Sequence, residues 1–287
     1  MRHHLKTYLF VGISFFVCNS CENDTVKPQD EKEKETLTIA YDLMFAEGPA
    51  YYNGILYFSD IQANKIYTWN ETQGLQVYKE NSGGANGLYL DKSGQLIICE
   101  GSNKRITSID TSGNTTILAD EFEGTPFNEP NDVWVASNGN IYFTDPVFSE
   151  TLSQSGEYVY CILSSNKQII KVADDLVKPN GIVGNADGTK LFIADFGASK
   201  IYQYVISADG TLNDKKLFTD VQADGLTIDT EENVYAASKS IMIYNSDADY
   251  INSIDVDETL TNLFYAETEN SKLLFVTTHS NVYQIEL

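Results

Sequence analysis

The chain has 287 residues, with 41 acidic against 19 basic side chains and a formal net charge of −22. A field of that sign repels nucleic acid and anionic lipid, so neither is expected as a partner, and it favours cations and neutral small molecules. With 3 histidines and 4 cysteines in all, few nitrogen- or sulfur-ligated metal sites can be built.

In chain order the first element is a leader. Arg2 and Lys6 flank a short basic start, an apolar run covers Tyr8 to Val17, and Cys18-Asn19-Ser20-Cys21 follows. This is the layout of a secretory signal peptide, and the run is too short to span a bilayer. Ser20 directly before Cys21 fits lipoprotein processing, with Cys21 as the lipidated first residue; plain cleavage nearby is the alternative. Residues 21–36 then form a charged, Pro-containing tether that cannot build a core. The expected location is the cell envelope, periplasm or outer membrane, with membrane contact only through a lipid on Cys21. Processing removes Arg2, Lys6, His3 and His4 but no acid, and leaves His279 as the sole imidazole. Zinc sites of two or three histidines are thereby excluded, and a Ser-His-Asp triad would need that one residue. The chemistry must rely on oxygen. Cys99 and Cys161 also remain, 62 positions apart. They do not make a disulfide framework, and whether they pair is open.

Residues 37–287 carry short Ile, Val, Tyr and Phe runs between Gly, Asn and Asp turns, which predicts an all-β domain. One pattern recurs: EGPAYYNGILYFSD from Glu47, NGLYLDKSGQLIICE from Asn86, NDVWVASNGNIYFTD from Asn131, NGIVGNADGTKLFIAD from Asn180 and DGLTIDTEENVYAAS from Asp224. A degenerate copy, NLFYAETENSKLLFVTT, starts at Asn262. Starts are 38 to 49 residues apart and each copy is followed by a further strand. That spacing fits a propeller blade, and six copies predict a six-bladed β-propeller. A two-sheet sandwich does not explain six equivalent segments. The last copy runs out of chain after its third strand, so Leu37 to Phe45 is expected to supply the missing outer strand and close the ring.

First strands of propeller blades line the central channel, so the leading residues Glu47, Asn86, Asn131, Asn180, Asp224 and Asn262 are expected to ring the axis. All six carry a side-chain oxygen on a short stem. Turn preference accounts for one or two of them, whereas a ring of carboxylates and amide oxygens is the ligand set of a hard cation. Glu47 and Asp224 supply two negative charges, matching one divalent ion, and Asn131 and Asn180 add neutral oxygens. A flexible ring gathered from separate blades suits calcium ahead of magnesium, manganese or zinc. Gly48, Gly87 and Gly181 are read as letting the backbone turn tightly beside the ion.

EGPAYYNGILYFSDIQANKIYTW, GANGLYLDKSGQLIICEGSNKRIT, FNEPNDVWVASNGNIYFTDP, KPNGI and ADGLTID resemble the gluconolactonase/regucalcin family of six-bladed propellers, over nearly all of residues 40–285. The resemblance implies Glu47, Asn131, Asn180 and Asp224 as metal ligands, in agreement with the ring. It places Asn86 near the substrate and matches Glu100 and Asp145 to motif positions assigned here to substrate binding, for which bracing of a strand end is the plainer reading. It carries no ligand role at Asn262, where the family varies. The implied activity is metal-dependent opening of a small lactone by a monomer, with the cation polarising the carbonyl and Asp224 acting as base on water or as nucleophile. A phosphotriester or aryl ester suits the same arrangement. The rival of another class is a non-catalytic, calcium-plugged propeller that binds a glycan or a protein; a strictosidine-synthase-like propeller, which would lack this ligand set, ranks last. The segment from Pro146 to Ser155 is the clearest insertion.

Overall fold

The computed structural model describes residues 36–149 and 151–287. The expected leader, Cys21 and the tether up to residue 35 lie outside the described residues. Every regular element described is a strand.

β1 (Thr36–Ala40) comes first in the chain. Blade 1 is β2 (Ala46–Tyr52), β3 (Ile55–Asp60), β4 (Lys65–Asn70) and β5 (Gly74–Glu80). Blade 2 is β6 (Ala85–Leu90), β7 (Leu96–Glu100), β8 (Arg105–Ile109) and β9 (Thr115–Ala119). A small hairpin, β10 (Glu121–Phe122) with β11 (Thr125–Pro126), leads into blade 3. That blade is β12 (Val133–Val135), β13 (Ile141–Asp145), β14 (Tyr158–Ile162) and β15 (Ile169–Ala173). Blade 4 is β16 (Pro179–Gly184), β17 (Lys190–Asp195), β18 (Lys200–Ile206) and β19 (Leu212–Thr219). Blade 5 is β20 (Leu226–Ile228), β21 (Val234–Ala237), β22 (Ile241–Tyr244) and β23 (Tyr250–Ile254). Blade 6 is β24 (Leu260–Glu267), β25 (Lys272–Thr278) and β26 (Val282–Glu286), with β1 as its fourth strand.

The fold is therefore the six-bladed propeller that the repeats predict. Its ring closes because Thr36 pairs with Ile285 and Ala40 with Val282, joining the two ends of the domain in one antiparallel sheet. The closing strand stops at Ala40, short of the expected Phe45, because residues 42–45 turn toward the channel instead: the N–H groups of Met44 and Phe45 donate to the Asp60 carboxylate, at 3.0 Å each.

Burial explains why the strands read as apolar runs instead of alternating. A blade is covered on both faces by its neighbours, so its inner strands bury both sides. β7 and β13 are buried at every position, while the outer strand β5 is mostly exposed. The core lies between blades. Phe127, Phe143 and Tyr160 pack edge-on and stacked with ring centroids 5.1 to 5.4 Å apart, next to Ile97 and Cys99 of blade 2. Leu56 and Phe58 meet Phe275 and Val282 across the closure. Cys99 and Cys161 are free and buried in this packing, so they do not pair. Burial raises both thiols well above their ordinary range, Cys161 to about 12, and makes them inert apolar filler.

Candidate functional site

Strand pairing defines which residues are equivalent around the axis. Ala46 faces Asp60, Ala85 faces Glu100, Pro179 faces Asp195 and Leu260 faces Thr278. The residue after each first member is the leading one: Glu47, Asn86, Asn180 and, in blade 6, Thr261. The sixth copy is thus one residue out of the register expected for it. Thr261 fills the leading position, and its hydroxyl is within 2.7 Å of the Ala46 carbonyl and 2.8 Å of Thr277 Oγ1. Asn262 belongs one step further along the channel. The slip was invisible in the sequence because a register irregularity between Leu260 and Asn262 lets two polar residues compete for one position.

At that next step four blades carry Gly48, Gly87, Gly181 and Gly225, and only Asp132 and Asn262 have side chains. The glycines are required less for turning than for close approach. Gly48 alone of the three expected glycines has a left-handed φ, at +53°. A Cβ on Gly87 would stand 2.5 Å from Asp132 Oδ1, and one on Gly225 would stand 2.0 Å from Asn262 Oδ1. Each preceding blade therefore leaves room for the side chain that reaches over it. Asn262 Nδ2 then donates to Asp132 Oδ2 at 3.4 Å, joining blade 6 to the opposite blade 3, and to Glu47 Oε2 at 3.1 Å. Asp132 and Asn262 form a polar floor beneath the leading residues.

Of the expected ligands, Asn180 and Asp224 touch, and Glu47 lies close enough to feel the Asp224 charge. Asn180 Nδ2 donates to Asp224 Oδ1 at 2.5 Å. Gly48 N–H donates to Glu47 Oε2 at 2.8 Å. Asn131 enters through its backbone, accepting from Gly87 N–H at 2.7 Å and donating to the Thr144 carbonyl. Asn86 stands between Glu47 and Asn131, and its side-chain oxygen is buried without a hydrogen-bond partner.

Sequence reasoning missed Asp132. The signal was present: in NDVWV an acid replaces the glycine that follows the leading residue in four other copies. Val133 N–H and Ile182 N–H hold its two oxygens at 2.9 and 3.3 Å.

These carboxylates disturb one another. Burial, then the charges of Asp224 and Asp132, raises Glu47 well above the usual carboxylate range. Burial raises Asp224 to about 7, with Asn180 opposing and the Asp132 charge adding. Asp132 rises to about 6 through burial, against hydrogen bonds from Val133, Ile182 and Asn262. None of the ion pairs among the described residues involves them. Two buried acids, Glu47 and Asp132, beside the half-buried Asp224 and without a compensating cationic side chain are costly, and with the orphaned Asn86 oxygen they suit a hard divalent cation. Among the described residues no three His, Cys, Asp or Glu side chains converge tightly enough to form a metal cluster by themselves; the expected set depends on amide oxygens.

Glu100 and Asp145 sit elsewhere. They end the second strands, where Asp60 and Asp195 are their counterparts, and each acid of this tier ties down a neighbouring segment. Glu100 accepts from Arg105 Nε at 2.8 Å, Asn103 Nδ2 at 2.6 Å and Thr107 Oγ1 at 2.7 Å. Asp145 Oδ2 accepts from Asn128 N–H at 2.9 Å, just as Asp195 accepts from Val177 N–H. Glu100 and one oxygen of Asp145 thus brace the channel mouth. Asp145 Oδ1 has no partner, and burial raises this acid to about 7. His279 is exposed at the same end, tilted against Phe45 with ring centroids 4.6 Å apart. The opposite end is chemically different: a cavity of about 750 Å³ lined by Tyr89, Trp134, Val183, Thr227 and Phe264.

The family model described as SMP-30/Gluconolactonase/LRE-like region matches residues 45–280. A gluconolactonase of Zymomonas mobilis is 25% identical, covering 86% of this chain and 80% of that protein. The solved structure of a gluconolactonase from Xanthomonas campestris superposes with a TM-score of 0.83 at 25% identity, covering 89% of this chain and 90% of that one. A regucalcin from Agrobacterium tumefaciens, described as a calcium-binding protein, shares the fold with a TM-score of 0.72 at 19% identity, over 85% of this chain and 91% of its own.

Proposed function

The chain belongs to the SMP-30/gluconolactonase/LRE-like family, and we propose that it is a divalent-metal-dependent hydrolase that opens small lactones. The observation that carries this reading is the group of carboxylates at one channel end, the buried Glu47 and Asp132 and the half-buried Asp224, with Asn180 bonded to Asp224 and the Asn86 oxygen unpartnered. The gluconolactonase names of the relatives point to the same activity.

Glu47, Asn131, Asn180 and Asp224 are the residues that would hold the ion, calcium ahead of magnesium, manganese or zinc. Bound there, a divalent ion supplies Lewis acidity to the ester carbonyl and lowers the cost of ionising the acids around it. Asp224 takes a proton from the attacking water, or attacks the carbonyl itself. Asn180, whose amide donates to Asp224, fixes the orientation of that carboxylate. Asn86 is placed to hydrogen-bond the substrate. Asp132 and Asn262 close the channel below, which keeps the reacting groups at one end. Glu100 and Asp145 hold the walls.

The test is hydrolysis of gluconolactone, an aryl ester and a phosphotriester with calcium, magnesium, manganese or zinc. Lactone turnover that chelator abolishes and added metal restores is the expected result. Metal binding without turnover of any of the three substrates would favour a non-catalytic, ion-plugged propeller.

Export and lipid attachment at Cys21 belong to the same proposal and place the enzyme in the cell envelope. Labelled palmitate should enter the wild-type chain and not Cys21→Ser; equal labelling of both would remove the anchor.

A further inference from the structure

The connections between second and third strands all lie at the end of the channel that holds the carboxylates. In five blades they are three or four residues long; in blade 3 the connection runs over residues 146–157. A connection of this length is long for a compact domain, and ordered ones commonly serve a function. Part of this one is held in place by side chains that do little else. Glu129 accepts from the N–H groups of Phe148 and Ser149 at 2.8 and 3.1 Å. Glu157 accepts from Val147 N–H at 2.8 Å and Lys178 N–H at 3.1 Å. Asn128 Oδ1 accepts from Ser153 and Gln154 N–H, both at 2.9 Å.

So much polar fixation leaves apolar groups in water. Phe148 is 49% exposed and Leu152 50%, and Val177 beside them is 56% exposed. Phe148 is not loose. Its ring meets Phe196 edge-on with centroids 6.4 Å apart, and the Lys178 ammonium lies 4.8 Å above its face. Glu129 and Lys178, which grip it, stand two residues before Asn131 and Asn180. Phe148 is therefore anchored by residues that closely precede two of the expected ligands, at the blade 3 and blade 4 side of the channel end. A polyhydroxylated substrate would have no use for it, and an anion would be repelled by the acids below.

We propose that this arm is a specificity element, and that the physiological substrate is an uncharged lactone or ester with an apolar, preferably aryl, substituent that lies against Phe148 and Leu152 while its carbonyl reaches the carboxylate end. The inference rests on the hydrolase reading of the preceding section. Because both side chains are largely exposed, Phe148→Ala/Leu152→Ser should keep the wild-type melting temperature.

The measurement is the ratio of kcat/KM for γ-phenyl-γ-butyrolactone to that for unsubstituted γ-butyrolactone, with the full chain and its preferred metal. The double variant should lower this ratio roughly tenfold, the size of effect expected for losing one well-covered aromatic contact, and leave butyrolactone turnover within about twofold. An unchanged ratio overturns the proposal, as does an equal loss on both substrates. Calorimetric binding of the matching lactam, 5-phenylpyrrolidin-2-one, separates the two readings. If the wild type hydrolyses neither these lactones nor gluconolactone, the aryl ester or the phosphotriester with any of the four metals, the hydrolase reading fails. The arm then stands if the lactam binds the wild type and the double variant weakens it at least fivefold, and falls if binding is absent or unaltered.

Discussion

Replacing Asp224 with Asn should lower kcat/KM for the best lactone by on the order of 10²–10⁴, the usual worth of a positioned general base, while weakening metal binding by a much smaller factor. The substitution keeps shape and one oxygen donor, so the Asn180 contact at 2.5 Å can persist. What it removes is a negative charge and the ability to accept a proton. Among the described residues only the Asn180 amide donates to Asp224, and removing the Asp224 charge also relieves Glu47, which that charge raises. Steady-state kinetics with calorimetric titration of the metal separates the two losses. A variant that turns over as the wild type does removes Asp224 from the mechanism, and one that loses metal and activity by the same factor makes it a ligand only.

The second large effect concerns stability. Asp224 moves from 3.8 to about 7 and Asp132 from 3.8 to about 6 on folding, both mainly by burial. Between those values the folded chain keeps protons that the unfolded chain has released. Stability contributed by these acids is therefore complete below about pH 4 and is lost as pH rises through their folded values. Metal-free protein should lose stability from them between about pH 4 and 7. A divalent ion should offset the loss, because it replaces the protons, and its affinity should climb across the same interval. At about 100 times the dissociation constant, ligation adds roughly 2.7 kcal/mol, which in a domain of this size raises Tm by roughly 5–10 °C.

Exposed turn acids such as Asp110, Asp187 and Asp209, lowered by their side-chain and backbone hydrogen bonds, act in the opposite direction. Asp132→Asn isolates the channel contribution from theirs. Metal-free Asp132→Asn should show a shallower decline with pH than the wild type and a smaller gain on adding calcium. Melting curves at pH 4, 5.5, 7 and 8, with and without calcium, measure both. Parallel curves for the two proteins would mean that Asp132 carries no unfavourable charge in the channel.

Much of this molecule can be read from the chain alone. The repeat that starts at Glu47, Asn86, Asn131, Asn180 and Asp224 announces six blades, because each blade must present its first strand to the axis and turn back through a short hairpin at fixed intervals. Identical local demands leave a visible period. The same logic predicts oxygen-bearing residues at one tier of the channel, and His279, the single histidine beyond the expected leader, narrows the chemistry.

Other features depend on contacts between blades, and sequence period says nothing about those. Thr261, not Asn262, completes the leading tier because the β24 ladder slips against β25, a decision made by pairing across the sheet. The chain shows Asp132 as an acid where four other copies carry glycine, but its place in the channel depends on Gly87 clearing space for it and on Asn262 reaching it from the opposite blade. Glu100 and Asp145 stand in the motif, and sequence distance alone cannot assign the donors Arg105 and Asn128 to Glu100 and to one oxygen of Asp145. Period and composition arise from interactions inside one blade and are written along the chain, whereas the register of blade 6, the channel floor and the docking of the 146–157 arm are settled where separate blades meet, by close packing and by the need of buried polar groups for partners.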